Sequence, residues 1–346
     1  MTTHNFSQLI LNWYHTCGRK NLPWQREKTL YKVWISEIML QQTTVKTVIP
    51  YFEKFIKKFP NINSLNKSKP DDILYLWSGL GYYKRAENIY KTAKIIQKDY
   101  KGKFPKNFSN IIKFPGIGRS TAGAILSLTL NYSFPILEGN VKRILTRYYG
   151  IKGHVKETKV EKKLWHLIER LIPINNTGKF NQGIMDVGAL ICTTINPKCN
   201  DCPLKQNCIA YKNKEWEKYP TKKNKKIKLK KKYWFVIIKY KDKFWIKKNQ
   251  QKTIWNNLFC FPYFESIKNL TQWFQKNEID LNQKSKLASF NHTLSHVKLC
   301  INPILIELYS TKKFISLNNT GIWYNSKNPQ KIGFPKPVKK ILNILK

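Results

Sequence analysis

The hydrophobic period of this chain changes once, and that change limits what it can fold into. Up to about residue 220 the apolar side chains recur at helical intervals. Ile73, Leu76, Trp77 and Leu80, for example, follow the i, i+3, i+4, i+7 rule behind an acidic start at Asp71 and Asp72. After residue 232 the pattern is that of strands: residues 233–238 and 244–246 flank a Lys-Asp-Lys turn, Val297, Leu299 and Ile301 alternate, and residues 304–309 form a second β-branched run. Val338, Ile341, Leu342 and Leu345 share one face of a closing helix. Between the two textures, residues 221–232 are lysine-rich and carry neither period. The expectation is an all-α domain over 1–220, an exposed basic linker over 221–232 and an α+β domain over 233–346. The 346 residues suffice for two cores of that size.

Lys and Arg number 63 against 20 Asp and Glu, a formal charge of +43. A surface of that sign gains affinity for phosphate backbones by releasing counterions. Only seven of the cations are Arg, none after Arg170, and the chain is rich in Lys, Asn and Ile. Drift in an AT-rich genome produces the same bias, so net charge alone does not identify the partner. A hydrophobic content of 42% excludes wholesale disorder. No apolar run approaches the roughly 18 residues of a membrane span, and no basic segment followed by an apolar core opens the chain. A cytoplasmic protein without membrane association is expected.

Three segments carry chemistry. In Phe114-Pro-Gly-Ile-Gly-Arg-Ser-Thr121 two glycines stand two apart between a short helix and an apolar one, which permits a tight turn whose amides face outward at a helix start. This is the arrangement of a helix-hairpin-helix, a clamp for the DNA backbone formed by Pro115, Gly116, Ile117, Gly118, Arg119 and Ser120. Cys192, Cys199, Cys202 and Cys208 lie within seventeen residues and can close one site around either a tetrahedral zinc or a [4Fe–4S] cluster. The remaining three of the seven cysteines, Cys17, Cys260 and Cys300, are read as isolated buried thiols. Glu37 falls four residues after Val33 and three after Trp34, so a helical wheel turns it toward apolar neighbours, where burial raises a carboxyl pKa and suits it to deliver a proton near neutrality. A second carboxylate, Glu138, stands in a loop leading into a helix; its bland reading is a helix-entry residue.

Together these segments resemble the helix-hairpin-helix, iron–sulfur DNA glycosylases, and within them the MutY-type adenine glycosylases. The resemblance runs from about residue 13 to residue 220 through Leu22-Pro-Trp24, Ser36-Glu-Ile-Met-Leu-Gln-Gln-Thr43, Gly79-Leu-Gly-Tyr-Tyr83, Pro115-Gly-Ile-Gly118, Gly139-Asn-Val-Lys-Arg143, Phe180-Asn-Gln182 and the four cysteines. Residues 233–346 look like the family's Nudix-like module, with Ile254-Trp-Asn-Asn-Leu-Phe-Cys-Phe-Pro262 and Phe290-Asn-His-Thr-Leu-Ser-His296, but without the Glu-rich helix that holds magnesium in Nudix hydrolases.

The resemblance implies a monofunctional adenine glycosylase of base excision repair that acts, as a monomer, on double-stranded DNA holding A·8-oxoguanine or A·G mispairs. It assigns one [4Fe–4S] cluster to the four cysteines, proton delivery at N7 of an extruded adenine to Glu37, and stabilisation of the sugar cation to Glu138. Gln42 and Tyr82 would fill the gap and wedge the strand, Gln182 and Asn140 would line the adenine pocket, and Leu294, Ser295 and His296 would read 8-oxoguanine. Endonuclease III-like relatives carry a Schiff-base lysine two residues after the second hairpin glycine; here that residue is Ser120. The sequence departs from the family in three places: the expected aspartate is Glu138, a frequent Phe is Leu294, and frequent glycines are Asn256 and Asn257. Glu138 keeps a noncatalytic iron–sulfur DNA-binding protein as the rival reading, ahead of an endonuclease III-like glycosylase/lyase.

Overall fold

The structure, a computed structural model, describes residues 3–222, 228–250, 254–279, 284–294, 297–309 and 321–345. The chain divides into two compact units, 1–67 with 88–224 and 68–87 with 225–346. The helix Pro70–Trp77 and the turn after it thus share the second unit, although the helical period assigned them to the first. Ile73, Leu74 and Trp77 are buried, Ser78 Oγ donates to Phe334 O at 2.8 Å, and Lys248 Nζ lies 2.6 Å from Asp71 Oδ1. Each of these contacts spans more than 170 residues of chain, which no local pattern reveals.

The first unit is all helical. One core gathers Ile10 from Thr3–Cys17, Val141 and Leu145 from Gly139–Tyr148, Leu164 and Ile168 from Thr158–Leu171, and Phe180, Ile184 and Val187 from Thr177–Leu190. Asp186, fully buried at the centre of that last helix, takes the Arg19 backbone N–H on Oδ2 at 2.8 Å, and Arg19 Nε and Nη2 and Gln182 Nε2 on Oδ1. A buried carboxylate is tolerated when its lone pairs are filled in this way.

The second unit is a mixed sheet with helices, the expected α+β architecture. Strands β1 (Leu229–Tyr240), β2 (Lys243–Lys248), β3 (Phe259–Cys260), β4 (Tyr263–Phe264), β5 (Lys284–Lys286), β6 (Phe290–Thr293), β7 (Val297–Glu307) and β8 (Gly321–Asn325) belong to one sheet with central order β3-β2-β1-β7-β5. β1 and β7 run parallel over eleven residue pairs, from Leu229 beside Val297 to Lys239 beside Glu307; the other pairings are antiparallel. The two runs expected at 297–301 and 304–309 are one strand through Glu307.

The basic linker is shorter than 221–232. Leu229–Lys232 is the start of β1, exposed at all four positions, and a strand wet on both faces shows no alternation. The closing helix, Lys336–Ile344, buries Val338, Ile341 and Leu342 as the period requires.

Arg19→Met leaves the Asp186 charge buried without its cation and is expected to cost about 3 kcal/mol in chemical denaturation followed by circular dichroism. The double variant Arg19→Met/Asp186→Leu should recover part of that loss, because the stranded charge is then gone.

Candidate active site

Glu37 is carried by the helix Leu30–Leu40, which starts where Thr29 Oγ1 accepts the Lys32 N–H at 3.1 Å. Val33, Trp34, Ile35, Ile38 and Met39 are buried around it, and the helix packs against Val45–Lys58 and Arg119–Leu130. Glu37 itself is half-buried between these residues. Burial first, and the neighbouring Glu138 charge second, push its pKa up to about 7.

Glu138 is the N-cap of Gly139–Tyr148. Its Oε1 accepts the N–H groups of Asn140 at 2.9 Å and Val141 at 3.1 Å. Burial raises its pKa; the two amides, the Arg143 charge and the Asn140 side chain oppose that rise without cancelling it. The helix-entry role read from sequence is therefore real, and it coexists with a position close enough to Glu37 for the Glu138 charge to raise the Glu37 pKa. Ser120 Oγ accepts the Leu137 N–H at 3.1 Å and so holds the segment that delivers Glu138. Expected on the DNA clamp, Ser120 places its hydroxyl oxygen on the backbone one residue before Glu138.

The hairpin forms as the glycines require. Gly116 has φ +82°, and a Cβ there would stand 2.7 Å from Asn88 Nδ2. Gly118 caps the helix Arg119–Leu130 with no side-chain cap, so the first-turn amides of that helix remain available to an anion. The flanking side chains differ from expectation. Ile117 is buried and its N–H donates to Phe114 O, so it cannot offer that amide outward. Arg119 turns to Glu169 and stacks on Trp165, its guanidinium 4.0 Å from the ring centroid. Pro115 O accepts from Thr92 Oγ1. Gln41, which the sequence reading passed over, donates to Gly116 O at 3.2 Å and ties the Glu37 helix to the turn; no periodic signal marks it. Gln42 beside it is exposed in the left-handed region, φ +57°, as a projecting residue would be.

Cys192, Cys199, Cys202 and Cys208 line one apolar pocket with Arg147, Ile191 and Trp216. Burial pushes the Cys202 thiol up to about 12, and proximity to the other three sulfurs adds to the rise. Arg147, itself buried, donates to Thr193 O at 2.7 Å and Cys192 Sγ at 3.3 Å, and Arg143 donates to Cys192 O at 2.7 Å. Among the described residues no three His, Cys, Asp or Glu donors converge as tightly as a single metal ion demands. Four thiols lining one apolar pocket are the donor set of either a zinc or an iron–sulfur site.

Gln182 is buried and spends its amide on Asp186, and Asn140 Oδ1 accepts from Arg143 Nη2 at 2.8 Å, so both expected adenine-pocket side chains hold the framework. In the second unit Tyr82 and Leu294 line a cavity of about 780 Å³ with Trp255, His292 and Lys336. Ser295 and His296 lie outside the described residues. Asn257 adopts φ +61° where relatives often carry glycine, a conformation Asn tolerates better than most residues.

The family model of the HhH-GPD superfamily of base excision DNA repair proteins matches residues 35–170, and the NUDIX domain model matches residues 233–343. The adenine DNA glycosylase of Buchnera aphidicola subsp. Schizaphis graminum (strain Sg) is 67% identical over the whole of both chains. That of Buchnera aphidicola subsp. Acyrthosiphon pisum (strain APS) is 62% identical over all of this chain and 99% of its own. The chain belongs to the adenine DNA glycosylases. Of solved structures, a thermostable thymine-DNA glycosylase matches with a TM-score of 0.56 at 30% identity, over 61% of this chain and 97% of that one. As an adenine DNA glycosylase the protein binds DNA and hydrolyses an N-glycosidic bond in base excision repair.

The Glu37 proton has a cost that can be measured. The folded state keeps a proton on Glu37 that the unfolded chain releases above its ordinary value near 4.5, so stability falls as pH rises from there to about 7. Glu37→Gln should therefore stabilise the protein by about 3 kcal/mol at pH 8 and by almost nothing at pH 4.5, read from thermal unfolding at the two pH values.

Proposed function

We propose that this adenine DNA glycosylase removes adenine opposite 8-oxoguanine or guanine, with Glu37 as the acid and Glu138 as the stabiliser of the sugar cation. The observation that carries this reading is the carboxyl of Glu37, raised to about 7 by burial beside Glu138. A group with that pKa is protonated in an appreciable fraction of molecules at neutrality, yet acidic enough to transfer its proton.

Adenine must first leave the duplex stack, at a cost on the order of a few kcal/mol. Glu37 then donates to N7, the C1′–N9 bond breaks with its electrons going to the base, and positive charge develops on the sugar. Glu138, anchored on two amides, supplies the opposing charge before water adds at C1′ and returns a proton to the Glu37 carboxylate. Ser120 cannot form a Schiff base, which supports release of an abasic site without strand cleavage. Cys192, Cys199, Cys202 and Cys208 would hold a [4Fe–4S] cluster, which supplies a cross-link for the loop between residues 192 and 208. Leu294, Ser295 and His296 would read the opposing lesion.

Single-turnover assays on a duplex with adenine opposite 8-oxoguanine test this. The rate should be highest below pH 7 and fall about tenfold per unit above it, as Glu37 loses its proton; it should fall again at acid pH as Glu138 is neutralised. Glu37→Gln should abolish the alkaline limb along with most activity, and Glu138→Gln should lower the rate on the order of a hundredfold or more. Nicks should form only after hot alkali. Nicks without alkali would establish the lyase reading, and bound but intact DNA at every pH would establish the noncatalytic one.

A further inference from the structure

Strands β1 and β7 outrun the helix that covers one face of their sheet. On that face Val236, Ile238, Ile304 and Ile306 pack with Leu270 and Phe274 of the helix Ile267–Lys276. Four and six residue pairs before Val236 and Ile304 the same face is bare, and its residues are Lys230 and Lys232 on β1, Lys298 and Cys300 on β7, and Asn291 and Thr293 on β6. The register fixes this grouping: Lys230 pairs with Lys298 and Lys298 with Thr293, while Lys232 pairs with Cys300 and Cys300 with Asn291. Burial alternates accordingly, with Lys298, Asn291 and Thr293 exposed and Val297, Leu299 and Ile301 buried on the reverse face.

Lysines of opposite parity on β1 are neutralised. Lys231 Nζ lies 3.0 Å from Glu265 Oε2, and Lys239 Nζ lies 2.6 Å from Glu307 Oε1. Lys230, Lys232 and Lys298 have no acidic partner among the described residues. Lys230 and Lys298 stand side by side on strands about 4.8 Å apart, a like-charge pair that works against the sheet. Drift toward lysine explains abundance on a surface; it does not explain cations of one parity lacking acids while those of the other parity have them.

The geometry points to a binding surface for the sugar-phosphate backbone of duplex DNA on this bare ribbon, formed by Lys230, Lys232 and Lys298 with Asn291 and Thr293 as neutral donors. β6 ends at Thr293 and β7 begins at Val297, so DNA lying along the ribbon follows the two strands that precede and follow residues 294–296 in the chain. The surface requires only that the substrate be DNA, and it stands whether or not the tip reads 8-oxoguanine.

The test is the salt dependence of binding to a fully paired duplex, from 50 to 200 mM salt, by fluorescence anisotropy. Each phosphate contact contributes about 0.9 to the slope of log K against log salt, so Lys230→Gln/Lys232→Gln/Lys298→Gln should make the slope shallower by about 2 to 3. The matched control Lys243→Gln/Lys268→Gln/Lys331→Gln, in the same unit and with the same loss of charge, should change it by less than about 1. Equal changes in both triple variants would show that only net charge is felt and would overturn the assignment, as would an unchanged slope in the first. Without DNA, the first variant should unfold at the same temperature as the parent or higher, since a repulsion is removed; a lower midpoint would mean that the lysines serve the sheet and would equally overturn it.

Discussion

The proposed chemistry depends on two carboxylates close enough for the charge of Glu138 to raise the pKa of Glu37. Glu37 and Glu138 belong to different helices, and each is pushed by burial toward its neutral form. The fold separates their states by giving them different company. Glu37 has apolar neighbours and a nearby negative charge. Glu138 has two helix N-terminal amides, the dipole behind them and the cation of Arg143. Burial favours the proton on both, and only Glu138 has amides and a cation that oppose it, the asymmetry on which the proposed acid-assisted cleavage would draw.

The helix Gly139–Tyr148 links this pair to the cysteine loop. Its N-terminus is capped by Glu138, and one and two turns on, Arg143 and Arg147 reach into residues 188–194. Arg147 also donates to Trp216 O and Tyr219 O, so a single buried guanidinium joins carbonyls between the first two cysteines to carbonyls beyond the last. Those carbonyls would otherwise be buried without donors. The loop and the helix that positions Glu138 are in this way one hydrogen-bonded assembly.

Much of this was legible in residue order. The change of period separated the two architectures, the paired glycines gave the hairpin, cysteine spacing gave a common pocket, and the wheel position of Glu37 foretold its burial. What could not be read were pairings set by tertiary partners. Pro70–Trp77 has an ordinary amphipathic pattern, and only contacts with Phe334 and Lys248 place it in the second unit. Arg119 looked like a phosphate ligand because it follows the hairpin, but Glu169 and Trp165, some fifty residues away, claim it. Gln182 carries no local sign that Asp186, one turn on, takes its amide. Leu229–Lys232 lacks alternation because neither face of that stretch is covered.

The replacement of the expected aspartate by Glu138 gains a physical account from the cap geometry. A capping side chain is fixed by what it accepts: when one oxygen receives two successive amides, the carboxylate is located by the helix terminus more than by its tether. The extra methylene of Glu then has to be absorbed between Cα and that anchor, upstream of the charge. The anchor itself is steadied from both sides, by the hydroxyl of Ser120 on the Leu137 N–H and by Val141, buried at the start of the helix. A longer side chain at this position changes the path to the charge while the amides continue to determine where the charge lies.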